Sequence, residues 1–179
     1  MSSVVIIGGG FAGCKVAKLL SGDSNFKVTI IDPTDFFELA WVNPRALVSP
    51  EWAQRCIVPY SAFLPGIQHV KDAVASLEAN KVVTKSGNTI EFKYCVVAVG
   101  SSYAGFMKAA ATTTVASQRV SEMHAHSEQL RSASQVLIVG GGPSGVELAF
   151  EILDVYPSKK VSRALFQCTT MFRLKPQHR

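Results

Sequence analysis

Charge is scarce in this sequence. Asp, Glu, Lys and Arg together make up 17% of its 179 residues, against 47% apolar residues and a mean hydropathy of +0.21. Such a balance excludes a disordered, solvating chain and fits strands covered on both faces. Paired cysteines are also lacking. Cys14, Cys56, Cys95 and Cys168 stand singly, with no C-x-x-C, so spacing yields neither a zinc site nor a redox dithiol, and no metal is expected. A reducing, cytoplasmic setting is. Long apolar runs are missing too: no stretch reaches the ~20 residues of a membrane-spanning helix, which leaves peripheral association as the open route to a membrane. The N-terminus has no basic lead-in, its apolar stretch is interrupted by Gly8 to Gly10 and Lys15, and position 2 is Ser, so neither a secretory signal nor N-myristoylation is expected.

Acidic residues are absent from Lys159 onward, where six basic residues fall (Lys159, Lys160, Arg163, Arg173, Lys175, Arg179). Since the whole chain carries 18 basic and 13 acidic residues, residues 1 to 158 hold 12 basic against 13 acidic. The formal charge of +5 is therefore a property of the tail, and no nucleic-acid partner is expected. A chain of this length buries one complete core, or one plus part of a second.

What is present in excess is glycine, at two places. Val4 to Ile7 reads as a β-branched strand that runs into Gly8-Gly9-Gly10-Phe11-Ala12-Gly13, followed by a helix over Cys14 to Leu20 and a second strand, Val28 to Ile31, closed by Asp32-Pro33. That is a βαβ unit of about 30 residues. Residues 36 to 66, rich in aromatics and proline, read as irregular with one short helix near Pro50 to Arg55. Strands are expected at about 70 to 77, 81 to 85 and 89 to 99, a meander whose last turn is Ser86-Gly87-Asn88 and whose last strand ends at Gly100. Ala104 to Ser117 reads as a linker and Val120 to Ala133 as an amphipathic helix. The opening pattern then recurs: strand Val136 to Val139, turn Gly140-Gly141-Gly142-Pro143-Ser144-Gly145, helix Val146 to Val155, strand Lys160 to Phe166. The duplication puts a boundary near 104 to 120, with residues 1–110 in a first, incomplete Rossmann-type α/β domain and 118–179 opening a second.

A pyrophosphate needs hydrogen-bond donors and room, and the first turn of a helix offers free N–H groups and a positive dipole end. In Gly8-x-Gly10-x-x-Gly13 the first glycine makes the tight turn, the second admits the pyrophosphate and the third lets helix and strand pack closely. Asp32 follows 19 positions after Gly13, close to the ~20 expected of an acid that accepts from ribose hydroxyls. Its alternative is a turn aspartate before Pro33. Gly140, Gly142 and Gly145 repeat the fingerprint, but the strand after them ends without an acid, so no ribose partner can be named. Glu147 admits two readings, a first-turn acid favourable to the helix dipole or a residue of the nicotinamide site. Cys14 at a helix N-terminus reads as a buried small residue in preference to a thiolate. His124 and His126, two apart on a helix, cannot share a metal.

Two fingerprints about 130 residues apart, with a meander and Ala98-Val99-Gly100 between them, resemble the pyridine nucleotide-disulphide oxidoreductase superfamily. The runs Ile31-Asp32-Pro33 through Phe37-Glu38, Trp41-Val42-Asn43-Pro44-Arg45, Val139 through Ala149 and Tyr156 through Val161 look like its apoptosis-inducing-factor-like, ferroptosis-suppressor-type branch of NAD(P)H:quinone oxidoreductases. The resemblance implies FAD on the first fingerprint, NAD(P)H on the second and a quinone-like acceptor. It further implies that Gly8 to Gly13 hold the FAD pyrophosphate, Asp32 its ribose, the backbone at Ala73 and Val74 its adenine, and Ala98 to Gly100 the family's Ala-Thr-Gly motif, with Val99 for the threonine. Arg45 matches an arginine that contacts FAD, its alternative being an exposed loop arginine. Glu147 matches a glutamate where nicotinamide meets flavin. Phe150 replaces a usually small residue. The likeness stops after Val161, and the family's returning FAD segment, Gly-Asp motif and interface domain do not follow, so an inactive truncated form that binds a dinucleotide weakly or not at all is the alternative expectation.

Overall fold

Val4, Val5, Ile6 and Ile7 are all buried, as a parallel strand covered on both faces requires. The structure, a computed structural model, describes residues 1–102 and 105–164. Along the chain run β1 (Ser2–Ile7), α1 (Phe11–Leu20), β2 (Phe26–Asp32), β3 (Phe36–Glu38), α2 (Asn43–Val48), α3 (Ala53–Cys56), β4 (Ile57–Pro59), α4 (Tyr60–Phe63), β5 (Gln68–Lys71), β6 (Val74–Leu77), β7 (Lys81–Thr84), β8 (Thr89–Glu91), β9 (Tyr94–Val97), α5 (Ala116–Ser132), β10 (Gln135–Val139), α6 (Pro143–Val155) and β11 (Lys160–Ala164). Single 3-10 turns lie at Ala40–Val42 and Pro50–Trp52.

The main sheet has the order β5-β2-β1-β9 and is parallel throughout, with Ile7 level with Ile31 on one side and Val97 on the other. Its carboxyl edge gathers Ile7, Asp32, Lys71 and Val97, the edge at which ligands bind in such sheets. Val4, Ile6, Val28 and Ile30 pack with Cys14 and Ala17 of α1 and with Tyr60 and Leu64. The opposite face, Val5, Ile7 and Ile31, packs on Val82 of the antiparallel sheet β6-β7-β8.

Two expected strands are each divided. The span 70 to 77 breaks into β5 and β6, which belong to different sheets. Asp72 makes the break: one carboxylate oxygen accepts from Ala73 N–H (2.7 Å) and the other from Ser86 N–H (3.2 Å) and its hydroxyl (2.5 Å), turning the chain from the parallel sheet into the meander. Likewise 89 to 99 breaks at Phe92 and Lys93, whose N–H groups go to Asn80 C=O (2.9 Å) and Ser3 C=O (3.0 Å), so β8 stays in the meander while β9 joins β1. The meander is therefore β6-β7-β8.

Residues 36 to 66 are more regular than their prolines suggest. β3 and β4 pair antiparallel, Glu38 opposite Ile57, and α2, α3 and α4 are short helices. Pro44 and Pro50 sit at first or second positions of helical turns, where a missing N–H costs nothing. The linker ends early, because Asp35 accepts Ala116 N–H at 2.8 Å and α5 starts there. Along α5 the buried stripe is Arg119, Met123, Ser127 and Leu130, so an arginine lies inside the expected apolar face.

The second unit repeats the first: β10 and β11 run parallel, Val139 opposite Ala164, with α6 between them in sequence. Part of the expected strand Lys160 to Phe166 lies outside the described residues, as does most of the tail. Leu47 and Val48 of α2 share a core with Leu130, Ile138 and Ile152, which seats the two units on one another. Phe150 points away, 71% exposed.

Candidate functional site

The first glycine turn begins where β1 ends. Gly8 has φ +102°, a region that favours glycine, and its N–H donates to Ile31 C=O at 2.9 Å. A Cβ there would overlap the Ala98 carbonyl, and a Cβ on Gly13 would overlap the Gly8 carbonyl, so β9, the turn and α1 close on one another through two absent side chains. Gly10 differs. It caps α1 with no side-chain hydrogen bond, and a Cβ on it would meet nothing within 4 Å. The leading N–H groups of α1 have no side-chain cap and carry the positive end of the helix dipole. Phe11 stacks on the exposed Trp41 (centroids 4.0 Å apart, 17° between planes) and meets Phe37 edge-on at 4.9 Å. Ala12 is exposed beside it.

Asp32, at the end of β2, holds this turn. One carboxylate oxygen accepts Gly9 N–H at 2.6 Å; the other accepts Thr34 N–H at 2.8 Å and its hydroxyl at 2.6 Å. The turn reading of Asp32 holds, and of the roughly four acceptor positions of a carboxylate one remains. Tyr60, buried under the turn, donates its hydroxyl to Gly9 C=O at 3.0 Å. Burial and then the Asp32 charge push its phenol far above the ordinary range, so it acts as a neutral donor. Neither Tyr60 nor Thr34 was evident from the sequence, since Tyr60 lies 51 residues from Gly9 in a segment without a period.

The other expected positions gather at the same edge with one exception. Ala98 donates its N–H to Ile7 C=O at 2.8 Å and is followed by Gly100 at φ +66°. Ala73 and Val74 leave the sheet just past Lys71, which is level with Asp32; Ala73 C=O accepts Lys85 N–H at 2.8 Å. Arg45 is the exception. It lies on α2, not in a loop, and its guanidinium is engaged by Glu151 (2.8 Å) and Asp154 (3.9 Å) of α6.

The second turn reproduces the first atom for atom in three features. Gly140 has φ +115° and its N–H donates to Ala164 C=O at 2.9 Å; Gly142 caps α6 with no side-chain bond and opens onto free space; a Cβ on Gly145 would stand 2.7 Å from Gly140 C=O. The residue after Ala164, in the place of Asp32 along the sequence pattern, is Leu165. Because α6 starts at Pro143, Glu147 is its fifth residue and no acid lies in the first turn, which removes the reading of Glu147 as a first-turn acid. Its side chain is exposed.

A polar cluster joins β3, α2 and α5. Arg119, 1% exposed, donates to Glu38 (Nε 3.0 Å, terminal nitrogen 2.7 Å) and to Phe106 C=O (2.6 Å). Glu38 also accepts from Asn43 (2.7 Å) and Ala109 N–H (3.0 Å). Cys14 and Cys56 are buried beside the turn and this cluster. Burial and then Asp32 push the Cys14 thiol up to about 12; burial and then Glu38 push Cys56 up to about 11. Cys14 is a packed thiol that donates to Gly9 C=O. Among the described residues no group of three or more His, Cys, Asp or Glu is placed to hold a metal, and no helix is long and apolar enough to cross a membrane.

A parallel sheet with a glycine turn and an uncapped helix at its carboxyl edge, built twice, is the Rossmann-type α/β architecture used by dinucleotide-binding proteins. The pyridine nucleotide-disulphide oxidoreductase family matches residues 2–164, and the chain belongs to that family. It is 36% identical over 156 residues to apoptosis-inducing factor homolog A of Dictyostelium discoideum, which covers 87% of this chain and 38% of that protein. It is 30% identical over 162 residues to ferroptosis suppressor protein 1 of Mus musculus, covering 89% and 42%. Among solved structures, the sulfide:quinone oxidoreductase of Aquifex aeolicus shares the fold with a TM-score of 0.66 at 23% identity, over 90% of this chain and 42% of that one. The chain thus spans about two fifths of the length of these relatives.

Proposed function

We propose that the chain serves an FAD-dependent NAD(P)H oxidoreductase, with FAD on the first turn, NAD(P)H on the second and a quinone-like small molecule as electron acceptor. The observation that carries this reading is the duplicated phosphate seat: the same positive-φ glycine, open helix cap and close-packed third glycine at Gly8, Gly10 and Gly13 and again at Gly140, Gly142 and Gly145. Both seats fit a pyrophosphate, since the position a Cβ would fill on Gly10 and on Gly142 is open and the helix N–H groups behind it have no side-chain cap. FAD, when bound, supplies the acceptance of a hydride from the nicotinamide and the release of electrons to the acceptor.

The chain's own part is binding and orientation. The N–H groups of Gly10, Phe11 and Ala12 hold the FAD pyrophosphate, and the remaining lone pair of Asp32 accepts a ribose hydroxyl. The backbone at Ala73 and Val74 borders the adenine, and Ala98 to Gly100 close the turn from the β9 side. Arg45 reaches FAD by leaving Glu151. Glu147, exposed one turn into α6, orients the nicotinamide against the flavin. A quinone acceptor is named for the sulfide:quinone oxidoreductase that shares the fold, and the free thiols of Cys14, Cys56 and Cys95 suit a reducing, cytoplasmic setting.

The test is the visible spectrum of the purified chain supplied with FAD, followed by NADH without oxygen. A bound-flavin spectrum that bleaches is the expected result. Bound flavin that stays oxidised leaves the first seat and removes the second, and a chain that retains no flavin after gel filtration overturns the proposal.

A further inference from the structure

The fingerprint explains glycine at positions 8, 10 and 13 and says nothing of position 9, yet Gly9 is the glycine of the first turn held most tightly from outside. Its N–H donates to Asp32 at 2.6 Å, and its carbonyl accepts both the Tyr60 hydroxyl at 3.0 Å and the Cys14 thiol at 3.0 Å. A Cβ on Gly9 would overlap the Tyr60 hydroxyl. The corresponding residue of the second turn, Gly141, is exposed, so this grip is not a requirement of the turn itself.

Tyr60 is built to hold that position. It follows Pro59, whose ring fixes the backbone at the entry to α4 (φ −56°, ψ 138°). The ring is 4% exposed and lies between His69 (4.7 Å) and Phe63 (6.1 Å). The hydroxyl is 3.4 Å from that of Thr34, which in turn donates to Asp32. Tyr60 and Asp32 therefore act on the two faces of one residue as parts of one network.

Gly9 C=O and Gly10 N–H belong to the same peptide unit. In a trans peptide the two bonds point in opposite directions, and among the described residues there is no cis peptide. A carbonyl turned inward onto Tyr60 turns Gly10 N–H away from Tyr60, on a residue that is itself exposed. We propose that Tyr60 is a positioning residue for the phosphate seat, its hydroxyl fixing the Gly9–Gly10 peptide so that Gly10 N–H is presented to a pyrophosphate. This rests on the reading of the first turn as a pyrophosphate site and adds the residue that sets the donor's direction.

The experiment compares the full chain with Tyr60→Phe, which keeps the ring and removes the donor, and with Cys14→Ala, which removes the second and weaker donor to the same carbonyl. Affinities for FAD and ADP, which share the pyrophosphate, are measured by titration, and amide hydrogen exchange at Gly9, whose N–H is bonded to Asp32, is followed in the ligand-free chain. Loss of one neutral hydrogen bond predicts ADP and FAD binding weaker by about fivefold to tenfold for Tyr60→Phe, a smaller loss for Cys14→Ala, and faster exchange at Gly9 with the β1 and β2 amides unchanged. A merely structural role would speed exchange across the sheet and leave no excess at Gly9. In Tyr60→Phe, or in Cys14→Ala if the first does not fold, unaltered ADP affinity with unaltered Gly9 exchange overturns the proposal. Failure of the unaltered chain to bind either nucleotide overturns the site reading and this proposal with it, whereas equal tight binding in wild type and Tyr60→Phe overturns the tyrosine's role alone.

Discussion

Gly10 and Gly13 are equivalent letters in the fingerprint and opposite cases in space. A methyl group on Gly13 runs into Gly8 C=O, while one on Gly10 meets nothing. Gly13→Ala is therefore expected to destabilise the fold by about 1–3 kcal/mol, the usual cost of overpacking. Gly10→Ala should leave the melting temperature nearly unchanged and, on the proposed reading of the first turn, abolish retention of FAD, because its methyl group would stand where the pyrophosphate approaches. Thermal melts with flavin titrations separate the two, and a Gly10→Ala chain that still binds FAD normally would remove the phosphate role of that position. The buried thiols give a second expectation. With Cys14 raised to about 12 and Cys56 to about 11 from an ordinary 9.0, the folded chain keeps both protonated at pH 8, and iodoacetamide should label them only after unfolding. A raised folded-state value contributes stability that is present below pH 9 and lost as the pH climbs toward 11 to 12; Cys14→Ala should flatten part of that loss in melts run across this range. The glycines and Asp32 were legible in the sequence because their signal is local. Tyr60 and Thr34 were not, because a tyrosine after a proline carries no mark of the carbonyl it will meet 51 residues away.

Among the elements, α5 departs most from its sequence pattern. Arg119 occupies the buried stripe one turn before Met123 and is tolerated there because Glu38 and Phe106 C=O take its guanidinium. Arg119→Met keeps the volume and strands Glu38 without its cation. By the usual cost of breaking a buried pair it should lower stability by about 3–5 kcal/mol, read as a fall in the denaturant midpoint at constant m-value. A loss under about 1 kcal/mol would mean that Glu38 is satisfied by Asn43 and Ala109 alone. The parallel strands and both long fingerprint helices were legible from unbroken β-branched runs and helical spacing. The divisions at Asp72 and at Phe92–Lys93 were not, since Ile90, Phe92 and Tyr94 alternate straight across the second break, one polar residue at the alternate position between Val70 and Val74 need not end a strand, and what ends each strand is a hydrogen bond to a distant segment.

At the level of the whole molecule, α2 is the joint between the two units, sharing a core with Ile138 and Ile152 and sending Arg45 to Glu151. The Arg45 side chain is 41% exposed, and such pairs contribute about 0–1 kcal/mol. Arg45→Ala should accordingly leave the melt almost in place; a marked loss of flavin affinity in the same variant would assign the arginine to FAD, and unchanged affinity would leave it as a strut between the units. The duplication itself was plain in the sequence, but the packing of one copy on the other was not, because the residues that perform it sit in the proline-rich segment that reads as irregular.

The closeness of Gly8 to the Ala98 carbonyl also sets a schedule. Strand β1 is made first, yet one of its two neighbours in the sheet is β9, some ninety residues later. At about 5–20 residues per second of synthesis, the opening glycine turn leaves the ribosome roughly 5–20 s before the strand that closes over it. Through that interval its donors are presented by a nascent chain with one flank bare, so the first seat is completed only when the codons for Tyr94 to Ala98 have been read.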